Sequence, residues 1–455
     1  MPESSVIDTP MSADTLPSRL LDAIEVQRQQ LSDPMAAFFY DLSALSDHAR
    51  RLKHGLPEGV ELYYAIKANS EAPILETLAP IVDGFELSSG GEIARACGCS
   101  HPRPWVLSGP GKLDSDMRQA IDNGIEAFHI ESLGEIARLQ EIARDRGRQQ
   151  AVLLRINPSL PDTLSSRLQM AGAPTPFGID ETDLAEAVEA VDNASHLQLV
   201  GFHIHAMSHQ KEVARHQQLI GYYLSRWPEW RALAREPDAL VQLNVGGGIG
   251  VDYSCRQQFD WSALCSWLDG QLRAMHNPPR LRFEIGRFIS AFCGYYVIEV
   301  LDRKFSHGEG FLVCRGGTHQ FRLPAAQSHD HPLIHLPQAV DETAGNAGEP
   351  ESWTIVGQLC TPKDVLSRDQ QLWDVAVGDL LVLPLAGAYG YNISHADFLC
   401  HPRPEQHFIQ GACSPETGSP EAGSQERKAV SEPDERNEPS DTQRATSIGE
   451  SATTA

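Results

Sequence analysis

The sequence predicts an α/β protein, a (β/α)8 TIM barrel followed by an antiparallel β domain. Three features point to it. Between residues 60 and 285, short β-rich runs occur eight times and helix-patterned segments separate most of them; strands that alternate with helices pair in parallel. Eight such strands suit closure into a barrel, with an open doubly wound sheet as the alternative. Beyond residue 290, strand-like runs follow one another without amphipathic helices between them.

Residues 1–35 are only partly patterned and read as a partly ordered segment. They show no basic region leading into an apolar core, so no secretory signal is expected. AFFYD (37–41) precedes the first barrel helix and is read as a strand lent to the β domain. Asp41 is placed to cap a helix whose stripe is Leu42, Leu45, Ala49 and Leu52. The barrel strands are VELYYAIK (60–67), IVDGFEL (81–87), PWVLSG (104–109), IEAFHI (125–130), AVLLRIN (151–157), LQLVGFHIH (197–205), ALVQLNV (239–245) and LRFEI (281–285). Asp180 is expected to cap the stripe Leu184, Ala187, Val188 and Val191.

The barrel is bounded at 36–290 and the β domain at 291–410, where GYYVIEVLDRK, GFLVCRGG, WTIVGQL and GDLLVLPL read as strands. The polar stretch 337–351 reads as a surface loop. The acidic tail 411–455 has almost no large apolar residue and is expected to stay disordered.

The formal net charge of −24 disfavours nucleic acid and anionic membranes as partners. No run approaches the roughly 18 apolar residues of a membrane span. The nine cysteines are scattered, and Cys97 and Cys99 lie too close together for the usual zinc-ligand pairs. A reduced, cytoplasmic protein without a metal centre is expected.

Functional groups of such barrels collect at the C-terminal strand ends, and here those ends are polar. They carry Lys67, Glu86 with Ser88, Arg155 with Asn157, His205 with Ser208, Gly246-Gly247-Gly248, and Glu284 with Gly286-Arg287. A lysine on a buried strand end sheds its proton more readily than one in water and can attack an aldehyde. Consecutive glycines let backbone N–H groups approach a phosphate. A carboxylate can keep a pyridine nitrogen protonated, and an imidazole can stack on a flat ring. Of His203 and His205, one is expected to face inward and the other to pack between strand and helix. Taken singly, Lys67 reads as a solvated lysine, the glycines as a turn, and Glu284 with Arg287 as a structural ion pair.

Together these residues resemble the pyridoxal-phosphate decarboxylases of the alanine-racemase-like fold, the diaminopimelate, ornithine and arginine decarboxylase group. The resemblance spans about residues 36–410 and rests on YYAIKANS, GFELSSGGEI, LLRINP, GFHIHAMSHQ, LNVGGGIG, EIGR, VGQLCTPKDVL and LAGAYG. It implies pyridoxal 5′-phosphate as cofactor, attached to Lys67, with Glu86 as the acidic active-site residue and Arg155 nearby. His205 would stack on the ring, and Glu284 would pair with the pyridine nitrogen. Ser208, Gly246, Gly247, Gly248, Gly286, Arg287 and Tyr389 would surround the phosphate. It also implies a head-to-tail homodimer in which Cys360, as general acid, enters the partner's site with Thr361, Lys363 and Asp364 near the substrate.

The departures concern the substrate. Thr361 stands where relatives carry an acid, Lys363 follows, and EIGR replaces the commoner EPGR. CTPKD, HIHAMSHQ and AGAYGYNISHADFLCHPRP resemble a branch in siderophore biosynthesis. That branch implies an amino acid joined to citrate, of citryl-diaminopropionate or citryl-serine type, with Lys363, Arg167 and His209 meeting its carboxylates. The alternatives are a diaminopimelate, ornithine or other diamino-acid decarboxylase of lysine or polyamine metabolism, a non-catalytic cofactor-binding regulator, and a metal-dependent barrel hydrolase using Asp83, His203, His205 and Glu284.

Overall fold

The computed structural model describes residues 13–161, 172, 174–338 and 349–411. Arg167, the tail from 412 to 455, residues 1–12 and most of the 337–351 loop lie outside the described residues.

The chain opens with helix α1 (Ser18–Gln30), strand β1 (Ala36–Asp41) and helix α2 (Leu42–Gly55). Asp41 ends β1 and caps α2, accepting from the Ala44 N–H at 2.9 Å, and it also accepts from Arg19 Nε at 2.6 Å. Leu42, Leu45, Ala49 and Leu52 are buried as the periodicity predicts.

Eight parallel strands then close a barrel. They are β2 (Glu61–Ala65), β3 (Gly84–Leu87), β4 (Trp105–Leu107), β5 (Ala127–Ile130), β6 (Gln150–Asn157), β8 (Leu197–His203), β9 (Gln242–Asn244) and β10 (Arg280–Ile285). β10 returns to pair with β2, and a two-residue β7 (Ile179–Asp180) lies beside β6. Six of the eight fall within a run the alternation predicts, and β6 and β10 each begin one residue before theirs. Helices α3 (Ala72–Leu78), α4 (Gly90–Cys97), α5 (Asp114–Asp122), α6 (Leu133–Asp145), α7 (Leu184–Asp192), α8 (Val213–Arg231) and α9 (Trp261–Ala274) connect them. Asp180 caps a 3-10 turn (Glu181–Asp183) that leads into α7, one turn earlier than expected, through the Thr182 N–H.

The second sheet comprises β11 (Gly294–Ser306), β12 (Glu309–Cys314), β13 (Ile334–Leu336), β14 (Glu351–Val356), β15 (Val365–Leu372), β16 (Leu380–Leu383) and β17 (Glu405–Ile409), with β1 joined to β11 as predicted. It is mixed where the sequence predicts an antiparallel sheet, because β12 pairs in parallel with β14, and β1 with β17. The long connection after β12 explains the first exception, since a parallel return needs a crossover of a dozen or more residues.

The end of the barrel at the strand starts is plugged by charge. Arg282, fully buried, donates to Glu61 at 2.8 Å and to Glu126 at 2.7 Å and lies 3.8 Å over the Tyr63 ring. Gln242 adds a bond to Glu61 at 3.2 Å. Breaking such a buried network is costly because it strands a charge. Asp83 lies near this end, bonded to Lys53 and to the Leu62 N–H, away from His203, His205 and Glu284. That removes it from the hydrolase constellation.

His331 is buried in the second sheet, with Nε2 2.7 Å from the Pro384 carbonyl. Burial pulls it down to about 3, against that hydrogen bond, which raises it. An unfolded chain protonates such a ring below about pH 6.5, so its contribution to stability is complete above that pH and is lost as pH falls towards the folded value. Between pH 7 and 5 the loss is about 2 kcal/mol. In urea unfolding, His331→Gln is expected to lose about 2 kcal/mol less than the parent over that interval. Equal losses would show that the folded ring takes up the proton.

Candidate active site

At the opposite end of the barrel, a cavity of about 550 Å³ gathers side chains from separate strand ends. Lys67, Glu86, Arg155, His205, Ser208, Gly248, Glu284, Gly286, Arg287 and Tyr389 all line it.

Lys67 follows β2 in a 3-10 turn (Ile66–Ala68). The second sheet's return loop clips onto this turn. Tyr389 N–H donates to the Ala68 carbonyl at 2.8 Å, and Asn392 donates to the Lys67 carbonyl at 2.6 Å. Asn69 donates to the Gly387 carbonyl at 3.0 Å.

The Lys67 amine donates to Glu86 at 2.7 Å. Burial pulls the ammonium down, but the charges of Glu86, Tyr389 and Glu284 more than offset it, and its pKa stands above the ordinary lysine value. The sequence predicts the reverse, an easily deprotonated amine, because spacing along the chain does not show the carboxylate that β3 brings beside it. Glu86 is itself buried and also accepts from Ser88 at 3.2 Å and from Ser108.

Arg155 donates to Glu131 at 2.8 Å, with its guanidinium 4.8 Å from the Phe177 ring. Glu131 accepts as well from the Gly109 N–H at 2.8 Å and the Gly178 N–H at 3.1 Å. Lys112, buried behind the loop after β4, donates to Glu135 at 2.6 Å and to the Gly109 carbonyl at 2.7 Å. Arg287 donates to the Tyr253 hydroxyl at 2.7 Å and lies 4.4 Å over the Tyr389 ring.

Strand β8 stops at His203, and both His203 and His205 line the cavity. Splitting them between inside and outside is wrong, because residues two apart in an extended chain share a face. Burial holds both well below the ordinary histidine range, helped in each case by Arg155 and Lys67. His205 Nδ1 accepts from the Gly247 N–H at 3.2 Å, which leaves the proton on Nε2. His209 lines the cavity too, stacks on Tyr253 at 6.1 Å, and is lowered to about 4 by burial and Arg287.

Of the three glycines, only Gly248 reaches the cavity wall. Gly246 and Gly247 serve close packing. A Cβ on Gly246, whose φ is +66°, would meet His205, and one on Gly247 would meet the Glu284 carbonyl.

Four predicted site residues stand elsewhere. Cys360, Thr361, Lys363 and Asp364 sit on the β14–β15 connection and do not line this chain's cavity. Asp364 is buried, accepting from Thr318 N–H and Oγ1, each at 2.7 Å, and from the Leu359 N–H at 2.8 Å. Within this chain those bonds shape the loop. Cys360 and Lys363 are exposed.

The sequence reading missed Ser108, Gly109, Pro110, Gly111 and Phe177, which complete the wall. The SGPGK run after β4 was the available signal for the first four. Phe177 had none.

The cavity thus offers an amine, two guanidinium groups, two carboxylates and three imidazoles. It fits a flat, phosphorylated aldehyde. The amine can take the carbonyl, Gly248 brings backbone to the cavity wall at a place where a Cβ would strike the Met207 carbonyl, and Arg287 supplies charge for the phosphate.

A family model described as "Pyridoxal-dependent decarboxylase, pyridoxal binding domain" matches residues 42–291. The 2-[(L-alanin-3-ylcarbamoyl)methyl]-2-hydroxybutanedioate decarboxylase of Staphylococcus aureus is 39% identical over 394 residues, covering 85% of this chain and 97% of the relative. The diaminopimelate decarboxylase of Zymomonas mobilis is 30% identical, covering 79% of this chain and 84% of that one. Among solved structures, the Helicobacter pylori diaminopimelate decarboxylase complexed with L-lysine superposes with a TM-score of 0.73 at 23% identity, covering 85% of this chain and 94% of that one. At that identity the likeness speaks for the fold.

Glu86→Gln removes the charge that holds Lys67 protonated. Labelling of Lys67 by a small acylating reagent at pH 8, mapped by mass spectrometry on cofactor-free protein, is expected to speed up about tenfold or more. An unchanged rate would show that Glu86 does not govern the amine.

Proposed function

The chain belongs to the pyridoxal-dependent decarboxylases, enzymes that use pyridoxal 5′-phosphate to remove the carboxyl group of an amino acid, and on that footing we propose that its substrate is an amino acid already joined to citrate. The observation that carries the substrate is the charge of the cavity. Its only carboxylates among the described residues are Glu86, paired with Lys67, and Glu284, held by Asn244. Neither is free for a distal ammonium, whereas Arg287 and, although it also donates to Glu131, Arg155 face the same space, with the neutral His209 beside them. The 39% identical relative supports this reading, since its name describes an alanine linked through a carbamoyl group to a hydroxybutanedioate. Siderophore assembly in the cytoplasm is the proposed setting.

A second reading is decarboxylation of a free diamino acid. The number of diaminopimelate decarboxylases among the relatives favours it.

Bound pyridoxal phosphate supplies a carbonyl for amine attachment and a protonated ring that accepts the electron pair left when CO2 departs. Lys67 would tether it. Ser208, Gly248, Gly286, Arg287 and Tyr389 would hold its phosphate, and His205 would lie against its ring. Glu284 would keep the ring nitrogen's proton in place. Cys360 would return a proton to the substrate's α-carbon. Because Cys360 lies on an exposed loop outside its own chain's cavity, we propose that it serves a second copy in a homodimer, with Thr361 and Lys363 beside it.

With product detected by mass spectrometry, kcat/KM for citryl-diaminopropionate is expected to exceed that for diaminopimelate, ornithine or lysine by at least about 100-fold. Turnover of a free diamino acid with none on the conjugate would establish the second reading instead. Mixing Lys67→Ala and Cys360→Ala proteins, each inactive, is expected to restore roughly a quarter of parental activity, as random pairing of two shared sites requires. No recovery would place both residues in one chain's site.

A further inference from the structure

Four cations act on the buried His203, and three of them have their own carboxylate within 2.8 Å: Lys67 with Glu86, Arg155 with Glu131, and Lys112 with Glu135. The fourth, Arg282, is shared between Glu61 and Glu126. Glu284 is buried and stands apart from this pattern, because every hydrogen-bond donor close to it is uncharged. Asn244 donates to its Oε1 at 2.8 Å. His129 Nδ1 lies 3.6 Å from the same oxygen, and His203 Nε2 lies 3.3 Å from Oε2.

The two rings stack with centroids 4.2 Å apart and planes 29° from parallel. Both are buried, and among the described residues neither has a hydrogen-bonded partner on any ring nitrogen. Leaving such buried groups unpaired is costly. Burial, together with each ring's cationic neighbours, keeps both neutral. A neutral imidazole has one N–H and one lone pair, and a lone pair turned to a carboxylate repels it. The proton therefore sits on Nδ1 of His129 and on Nε2 of His203.

We infer that His129 and His203 are positioning residues that hold the Glu284 carboxylate by uncharged N–H donation and so reserve its negative charge for the cofactor's ring nitrogen. A lysine or arginine in their place would neutralise the carboxylate. Side-by-side rings also fit its two oxygens in a way one donor could not. The inference rests on the cofactor reading above and adds two residues from β5 and β8 to it. The charged and titratable groups facing this cluster are Lys67, Arg155, Lys112, Arg282 and His205.

The test uses the full-length, cofactor-loaded protein. His203→Leu and His129→Leu remove the donor, while His203→Gln and His129→Asn keep an uncharged N–H. The leucine variants are expected to lose about tenfold or more in kcat with little change in KM, to bind pyridoxal phosphate about tenfold more weakly, and to shift its visible absorption. The amide variants should recover most of each loss. Leucine variants indistinguishable from the parent, or amide variants as impaired as leucine, would overturn the inference. Should the leucine variants fail to fold, 15N spectra of histidine-labelled protein decide, with the amide variants assigning the signals. Neutral rings protonated on Nδ1 of His129 and Nε2 of His203 support the assignment, and any other state overturns it. A parent protein that stays colourless with pyridoxal phosphate would instead sink the cofactor reading and leave the 15N result standing.

Discussion

A charge taken out of water must find its opposite, and the mouth of this barrel is built around that constraint. Arg155 and Lys112 are buried and Lys67 opens on the cavity, and each is matched by a carboxylate from a neighbouring strand or the helix after it. Parallel closure makes the matching possible. Every strand points its C-terminal end at the same rim, so residues far apart in sequence become neighbours there. Lys67 and Glu86 are nineteen positions apart yet share a bond.

The same constraint separates what was legible in the sequence from what was not. Strand and helix periods are local, so the eight barrel runs and the α2 stripe could be read directly. Motifs that end strands were legible for a related reason, since a strand end fixes position without knowledge of neighbours. Lys67, Glu86, Arg155, His205, Glu284 and Arg287 reached the cavity on that basis and on family resemblance. Partners were another matter. Nothing local reveals that Asp364 accepts from Thr318 and Leu359 within its own chain. Gly246 and Gly247 looked like phosphate glycines, whereas the crowding that demands them comes from His205 and Glu284 on other strands. His129 carried no signal, as its meaning depends on a ring from another strand.

The second sheet is more than an appendage. Its return loop holds the lysine turn through Tyr389, Asn392 and Gly387, and β1 ties it to the start of the barrel through Asp41. Tyr389 and Leu385 both adopt positive φ, at +53° and +60°, in that loop. Such backbone is unfavourable for side chains with a Cβ, and it is maintained where the loop meets the site.

The Arg282 plug has a bearing on traffic. With one end of the barrel stoppered by a guanidinium between two carboxylates, the cavity among the described residues is reached from the opposite rim, so arrival and departure share one side of the barrel.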